Sequence, residues 1–181
     1  MPAKKLLVVG ISGVTCGGKS TLARNLQEKY PDATVISQDD YFLDVMDPRH
    51  TWIEELDHIN FDILSSLDME RMLSDAKELM ELTTGILIIE GFSIFNCRHI
   101  EELCNLKYFF KLKKEVCRER RSRREYDPPD CPGYFDRCVW PEHIEQLKEV
   151  ERTVEGVTYF ENVESDHALE AVLKDVRRES E

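Results

Sequence analysis

Lys19 and Ser20 close the stretch Gly13-Val14-Thr15-Cys16-Gly17-Gly18-Lys19-Ser20, which fits the pattern G-x-x-x-x-G-K-[ST] at every fixed position. These residue types suit one chemistry, the binding of a nucleotide's phosphates. Glycines let backbone N–H groups turn toward phosphate oxygens with no Cβ in the way. A helix starting at Lys19 adds its unpaired N–H groups and the positive end of its dipole. The Lys19 ammonium can reach the β- and γ-phosphates, and the Ser20 hydroxyl can ligate Mg²⁺. We therefore expect the segment from Gly13 through Val14, Thr15, Cys16, Gly17, Gly18, Lys19 and Ser20 to Thr21 to cradle the nucleotide.

An open parallel sheet binds its ligands beyond the carboxyl ends of its strands, so acids just after strand-like runs are the next candidates. Asp39 and Asp40 follow "ATVIS", and Glu90 follows "ILII" at the usual Walker B position, as Glu rather than Asp. An acid there can ligate Mg²⁺ or accept a proton from an attacking hydroxyl. Acids after strands also cap helices or sit in exposed turns, and a strand-end Glu can simply face solvent; both readings stay open here. Arg118, Arg120, Arg121, Arg123 and Arg124 crowd one short helix with few acids nearby. Like charges at helical spacing repel, and an anion would relieve that cost. The expectation is a mobile lid that offers guanidinium donors to a γ-phosphate; the alternative is a solvated helix face. Tyr126, Tyr134, Phe135 and Trp140 flank the adjoining proline loop, either to stack on a flat ring or to anchor the loop.

The elements that must position these groups alternate along the chain. Strands are expected over 5–11, 33–37, 85–91, 106–112 and 156–162, with helices over 19–30, 62–82, 114–124 and 141–154 and from Ser165 onward, capped by that serine. A break near Asp68 would let it cap a second segment of the 62–82 helix. The prolines of 126–135 exclude helix there. This alternation predicts an α/β fold, a parallel sheet with helices on both faces in three layers. We expect one domain over 1–181, with an arginine-rich lid at about 118–136 inserted in it.

Composition narrows the class further. The 181 residues carry 24 basic and 36 acidic side chains, a net charge of −12, which argues against a general nucleic-acid binder. The apolar run near the N-terminus is too short to span a membrane. The six cysteines form no C-x-x-C pair and read as reduced thiols of a cytoplasmic protein, without the ligand spacing of a zinc site.

Taken together, "GISGVTCGGKSTLARNLQ", "VISQDDYF", "ILIIEGFSIFN" and "RRSRREYDPPDCPGYFDRCVWP" resemble the nicotinamide riboside kinases of the P-loop, uridine-kinase-like group, over about residues 5 to 170. The resemblance implies transfer of the γ-phosphate of ATP, with Mg²⁺, to the 5′-hydroxyl of nicotinamide riboside. It implies Asp39 as base near the metal, Ser20 as metal ligand, and Lys19 and Glu90 as further catalytic groups. Asp39, Asp40, Tyr41 and Phe42 would meet the substrate, with Asp62 on the ribose hydroxyls. Phe61, where the family often has tyrosine, would flank the base. Arg121, Tyr126 and Asp127 would also contact the substrate, Tyr126 by stacking on its ring. Arg120, Arg124, Glu164, Ser165 and Asp166 would meet ATP. The loop 43–60 departs from the family pattern. The implied partner is a small nucleoside, and the expected state is a monomer or weak homodimer.

Other readings are a uridine or cytidine kinase, and a nucleotide-binding protein without catalysis. A GTPase-type switch is disfavoured. "DCPG" fits D-x-x-G but lies in the proline loop, and no N-K-x-D is present to read guanine.

Overall fold

The first apolar run becomes the central strand of the sheet. The computed structural model describes residues 6–180, so the start of the expected first strand at Lys5 lies outside the described residues. Five parallel strands, β1 (Leu7–Gly13), β2 (Thr34–Ser37), β5 (Ile86–Glu90), β6 (Leu106–Lys111) and β7 (Val157–Glu161), stand in the order β2-β5-β1-β6-β7. β1 and β5 are buried along their whole length, which is why both read as unbroken apolar runs instead of alternating ones.

Successive residues of these strands feed opposite cores. Val9, Ile11 and Ile88 pack with Leu22 and Leu26 of α1 (Lys19–Lys29) and with Ala168, Val172 and Val176 of α6 (Ser165–Ser180). Val8, Leu87 and Ile89 pack with Met72 and Ala76 of α2 (Met69–Leu82) and with Val150 of α5 (Trp140–Thr153). The expected three layers are therefore present, with α1 and α6 on one face and α2 and α5 on the other.

Several boundaries differ from the expected ones. The 62–82 segment is helical only from Met69, where the Asp68 carboxylate accepts from the Arg71 N–H at 3.0 Å. Before it, Leu64–Ser66 forms one 3-10 turn, held because the Ser66 hydroxyl donates to the Asn60 carbonyl at 2.5 Å. The helix α4 (Lys114–Arg121) stops short of Arg124, and the chain continues in turns. α6 begins at Ser165 itself. Two small features were not expected: a hairpin of β3 (Trp52–Ile53) and β4 (His58–Ile59), and a one-turn π-helix, Phe135–Val139, leading into α5. A four-residue helix, α3 (Arg98–Glu101), precedes β6.

Candidate active site

The phosphate loop joins the end of β1 to α1 and rests directly on β6. Gly13 takes φ +121°, and a Cβ there would lie 2.3 Å from the Phe110 carbonyl oxygen, so no larger residue fits. The Val14 N–H donates to the Phe110 carbonyl at 3.0 Å, and the Val14 side chain packs with Leu112 and Cys117. Val14 therefore contributes no N–H to a phosphate, which corrects that part of the expectation. The Gly17 N–H is taken as well, donating to the Val14 carbonyl at 3.1 Å. Among the described residues, the N–H groups of Gly18, Lys19, Ser20 and Thr21 at the helix start donate to no protein acceptor. Lys19 donates to the Val14 carbonyl at 2.9 Å. Burial lowers the pKa of its ammonium, while the carboxylates of Glu90 and Asp39 pull it up only in part.

Glu90 is not a solvent-facing strand end. Strand register sets it between Ile11 of β1 and Ser37 of β2, 4% exposed, accepting from the Ser37 hydroxyl at 2.5 Å and the Ser20 hydroxyl at 3.2 Å. Asp39 sits in a 3-10 turn, Gln38–Tyr41, straight after β2; it is exposed, makes no capping bond, and lies close enough to act on Lys19. Gln38 anchors that turn. Its buried amide accepts from the Ser93 N–H at 3.1 Å and donates to the Ser93 hydroxyl at 3.1 Å.

The same turn separates its residues. Phe42 enters the cavity beyond Asp39, but Tyr41 points the other way, into the core, where its hydroxyl donates to Asp75 at 2.8 Å. Asp40 offers only its carbonyl, to Arg71 at 2.9 Å, and its side chain lies outside the cavity lining. Tyr41 and Asp40 are therefore corrected as pocket residues.

Two cavities open from the loop. One, of about 570 Å³, is bounded by Gly18 and Thr21 of α1, by Arg120 and Arg124 of the lid, and by Glu164, Ser165 and Asp166 at the head of α6. The other, of about 450 Å³, brings Thr15, Lys19, Ser20, Asp39 and Glu90 together with Phe42, Phe61, Asp62, Arg121, Tyr126 and Asp127. Cys16 and Arg124 line both.

The arginine cluster is better neutralised than its sequence suggests. Arg118 pairs with Asp136, Arg123 with Glu119 at 2.5 Å, and Arg120 with Glu164 at 3.4 Å. Arg121 is buried. It donates to both oxygens of Asp130, at 2.7 and 2.9 Å, and to the Thr15 hydroxyl at 3.1 Å, with its guanidinium 4.3 Å from the Tyr126 ring centre. Burial works against that charge, but Asp130 and the Asp62 carboxylate outweigh it and leave the pKa raised. Of the five arginines in 118–124, only Arg124 has no ion pair among the described residues. The expectation of a charge run with few acids is corrected: one partner, Glu119, lies within the run, and the others come from 130, 136 and 164, far along the chain or across a loop.

Tyr134 is the residue that sequence reasoning did not assign. It is 1% exposed; its hydroxyl accepts from the Phe61 N–H at 2.9 Å and donates to Asp62 at 3.0 Å. Burial raises the Asp62 carboxyl's pKa, against the opposing pull of Arg121 and of this hydroxyl. The alternation "PGYFD" gives no sign of which aromatic turns inward. The signal that was available is the pairing of an aromatic loop with an acid in "NFD".

Two ligand cavities meeting at one phosphate loop, with a lid arginine facing both, are built to pass a phosphoryl group from one small molecule to another. That is the work of a P-loop kinase. The AAA domain family matches residues 9–170. Nicotinamide riboside kinase 1 of Rattus norvegicus is 39% identical over 192 residues, covering 98% of this chain and 97% of its own. A uridine kinase of Borreliella burgdorferi is 26% identical over 141 residues, covering 65% and 66%. Among solved structures, the tunicamycin resistance protein of Deinococcus radiodurans shares the fold at a TM-score of 0.62 and 15% identity, covering 95% and 96%. The chain belongs to the nicotinamide riboside kinase family.

Proposed function

We propose that this protein transfers the γ-phosphate of ATP to the 5′-hydroxyl of nicotinamide riboside, producing nicotinamide mononucleotide for NAD synthesis. The observation that carries the reading is the second cavity. It brings the rings of Phe42, Phe61 and Tyr126 into one cavity with the Asp39 carboxylate and Lys19, which feels that carboxylate's charge. A ribose between them meets Asp62, and its 5′-hydroxyl meets Asp39, which orients the nucleophile and takes its proton as the bond to phosphorus forms. Lys19 and Arg124 meet charge on the transferring group, and Arg121 keeps the lid seated on Thr15.

The donor set fits Mg²⁺, a hard cation that prefers oxygen. The Ser20 hydroxyl spends its proton on Glu90 and keeps its lone pairs for an ion, with Asp39 nearby. Among the described residues there is no cluster of three or more acid, histidine or cysteine ligands, so the ion would rely on the nucleotide's own oxygens. When bound, it neutralises the β- and γ-phosphates.

Six free thiols support a reducing, cytoplasmic setting. Among the described residues no helix is long and apolar enough to cross a membrane. The test is product detection by mass spectrometry with Mg-ATP and nicotinamide riboside, uridine, cytidine or adenosine. We expect the highest kcat/KM with nicotinamide riboside, and a loss of about a thousandfold or more in Asp39→Asn while ATP still binds. A uridine preference would reassign the acceptor, and near-normal kcat in Asp39→Asn would remove its role.

A further inference from the structure

We infer that Asp127 selects for a positively charged ring in the acceptor, making it a specificity-determining residue of the second cavity. This rests on the reading that nicotinamide riboside is the acceptor. Five carboxylates line that cavity, and their partners differ. Glu90 takes the Ser20 and Ser37 hydroxyls, Asp62 takes the Tyr134 hydroxyl, and Asp130 grips Arg121. Asp39 lies in the field of Lys19. Asp127 stands at the cavity lining next to Tyr126 in sequence; it is exposed, and no hydrogen bond or ion pair reaches its carboxylate among the described residues.

The cations of the cavity do not cancel it. Lys19 belongs to the phosphate loop, and Arg124 also faces the nucleotide cavity, so phosphates absorb both charges. Arg121 stacks on Tyr126, but Asp130 chelates it through both oxygens. What remains in the lining is one carboxylate without a partner and the rings of Phe42, Phe61 and Tyr126. Aromatic faces and a free anion both attract a cationic ring. The pyridinium of nicotinamide riboside carries that charge; the uracil of uridine does not.

The experiment varies charge on both sides. Wild type and Asp127→Asn are assayed at saturating Mg-ATP with nicotinamide riboside and with benzamide riboside, its neutral isostere with carbon in place of the ring nitrogen. Because Asp127 is exposed and unpaired, the variant folds normally, which thermal denaturation verifies. The expected result is a fall of roughly two- to fivefold in the ratio of the two kcat/KM values, the modest size that an exposed charge allows. Raising salt from about 0.05 to 0.5 M should shrink the wild-type ratio and leave the variant's ratio flatter. A ratio that Asp127→Asn changes by less than twofold overturns the inference and leaves the proposed function standing. Wild type that phosphorylates uridine but not nicotinamide riboside overturns both.

Discussion

A single hydroxyl organises the acceptor end of the site. Tyr134 reaches the Phe61 backbone and the Asp62 carboxylate at once, so it fixes the loop carrying both. Replacing it with phenylalanine keeps the ring packed among Cys138 and Val139 and deletes those two bonds together with the hydroxyl's contact to the Cys138 thiol. A hydrogen bond to a charged group is worth about 1.5–3 kcal/mol. Tyr134→Phe should therefore raise KM for the riboside roughly tenfold or more, with KM for ATP little changed; equal rises in both would mean that the hydroxyl only holds the fold together. At this scale the sequence was legible where chemistry dictates spacing. Lys19, Ser20, Asp39 and Glu90 follow from a motif or a strand end. It was not legible where direction decides. Tyr41 and Phe42 are adjacent aromatics, and only the turn after β2 sends one to Asp75 and the other to the cavity. Asp130 was equally hidden, because its role depends on the proline loop folding back over α4.

The ends of elements, more than their middles, build the catalytic geometry. Gly91 follows β5, and an added Cβ would lie 2.3 Å from the Gln38 Cβ, inside the contact that holds the Asp39 turn against Ser93. Gly91→Ala should cost about 1–3 kcal/mol of stability through overpacking. It should also lower kcat well beyond that cost, since the turn that gives way carries the base. Denaturant midpoints and kcat measured on one preparation separate the two effects; a stable, fully active variant would show that the turn can shift freely. The core strands and helices were readable because their apolar spacing matches burial, as in Leu22 and Leu26. The β3–β4 hairpin was not, for its four residues carry almost no pattern. Yet it matters, because Ile53 and Leu56 pack under Tyr134, and His58 bonds the Pro129 carbonyl at 3.2 Å. The lid is thereby tied to the acceptor loop.

Across the whole molecule, the site is only as stable as the core beneath it, and that core contains a histidine. His143 of α5 packs against Phe109 and Trp140, and burial, helped by Lys19 and Lys111, pushes its pKa down to about 4 from an ordinary 6.5. As pH falls, the unfolded chain takes up this proton first. The contribution is complete above about pH 6.5 and is lost progressively toward pH 4. Denaturant unfolding should show wild type losing roughly 2 kcal/mol more than His143→Gln between pH 7 and pH 5, and parallel losses would exclude the histidine as the cause. The sheet order has a different consequence, for synthesis. β1 leaves the ribosome first but belongs in the middle of the sheet, where Leu7 must wait for Ile86 and Val9 for Leu106. A nascent chain that already displays Lys19 and Ser20 has no cradle until Phe110 arrives beneath Gly13. Until then "LLVVGI" is an unpaired apolar strand, and its pairing is of the slow, non-local kind. The nucleotide site of this kinase therefore forms only after β6 has been made, and chaperones that shield unpaired hydrophobic strands act before that point.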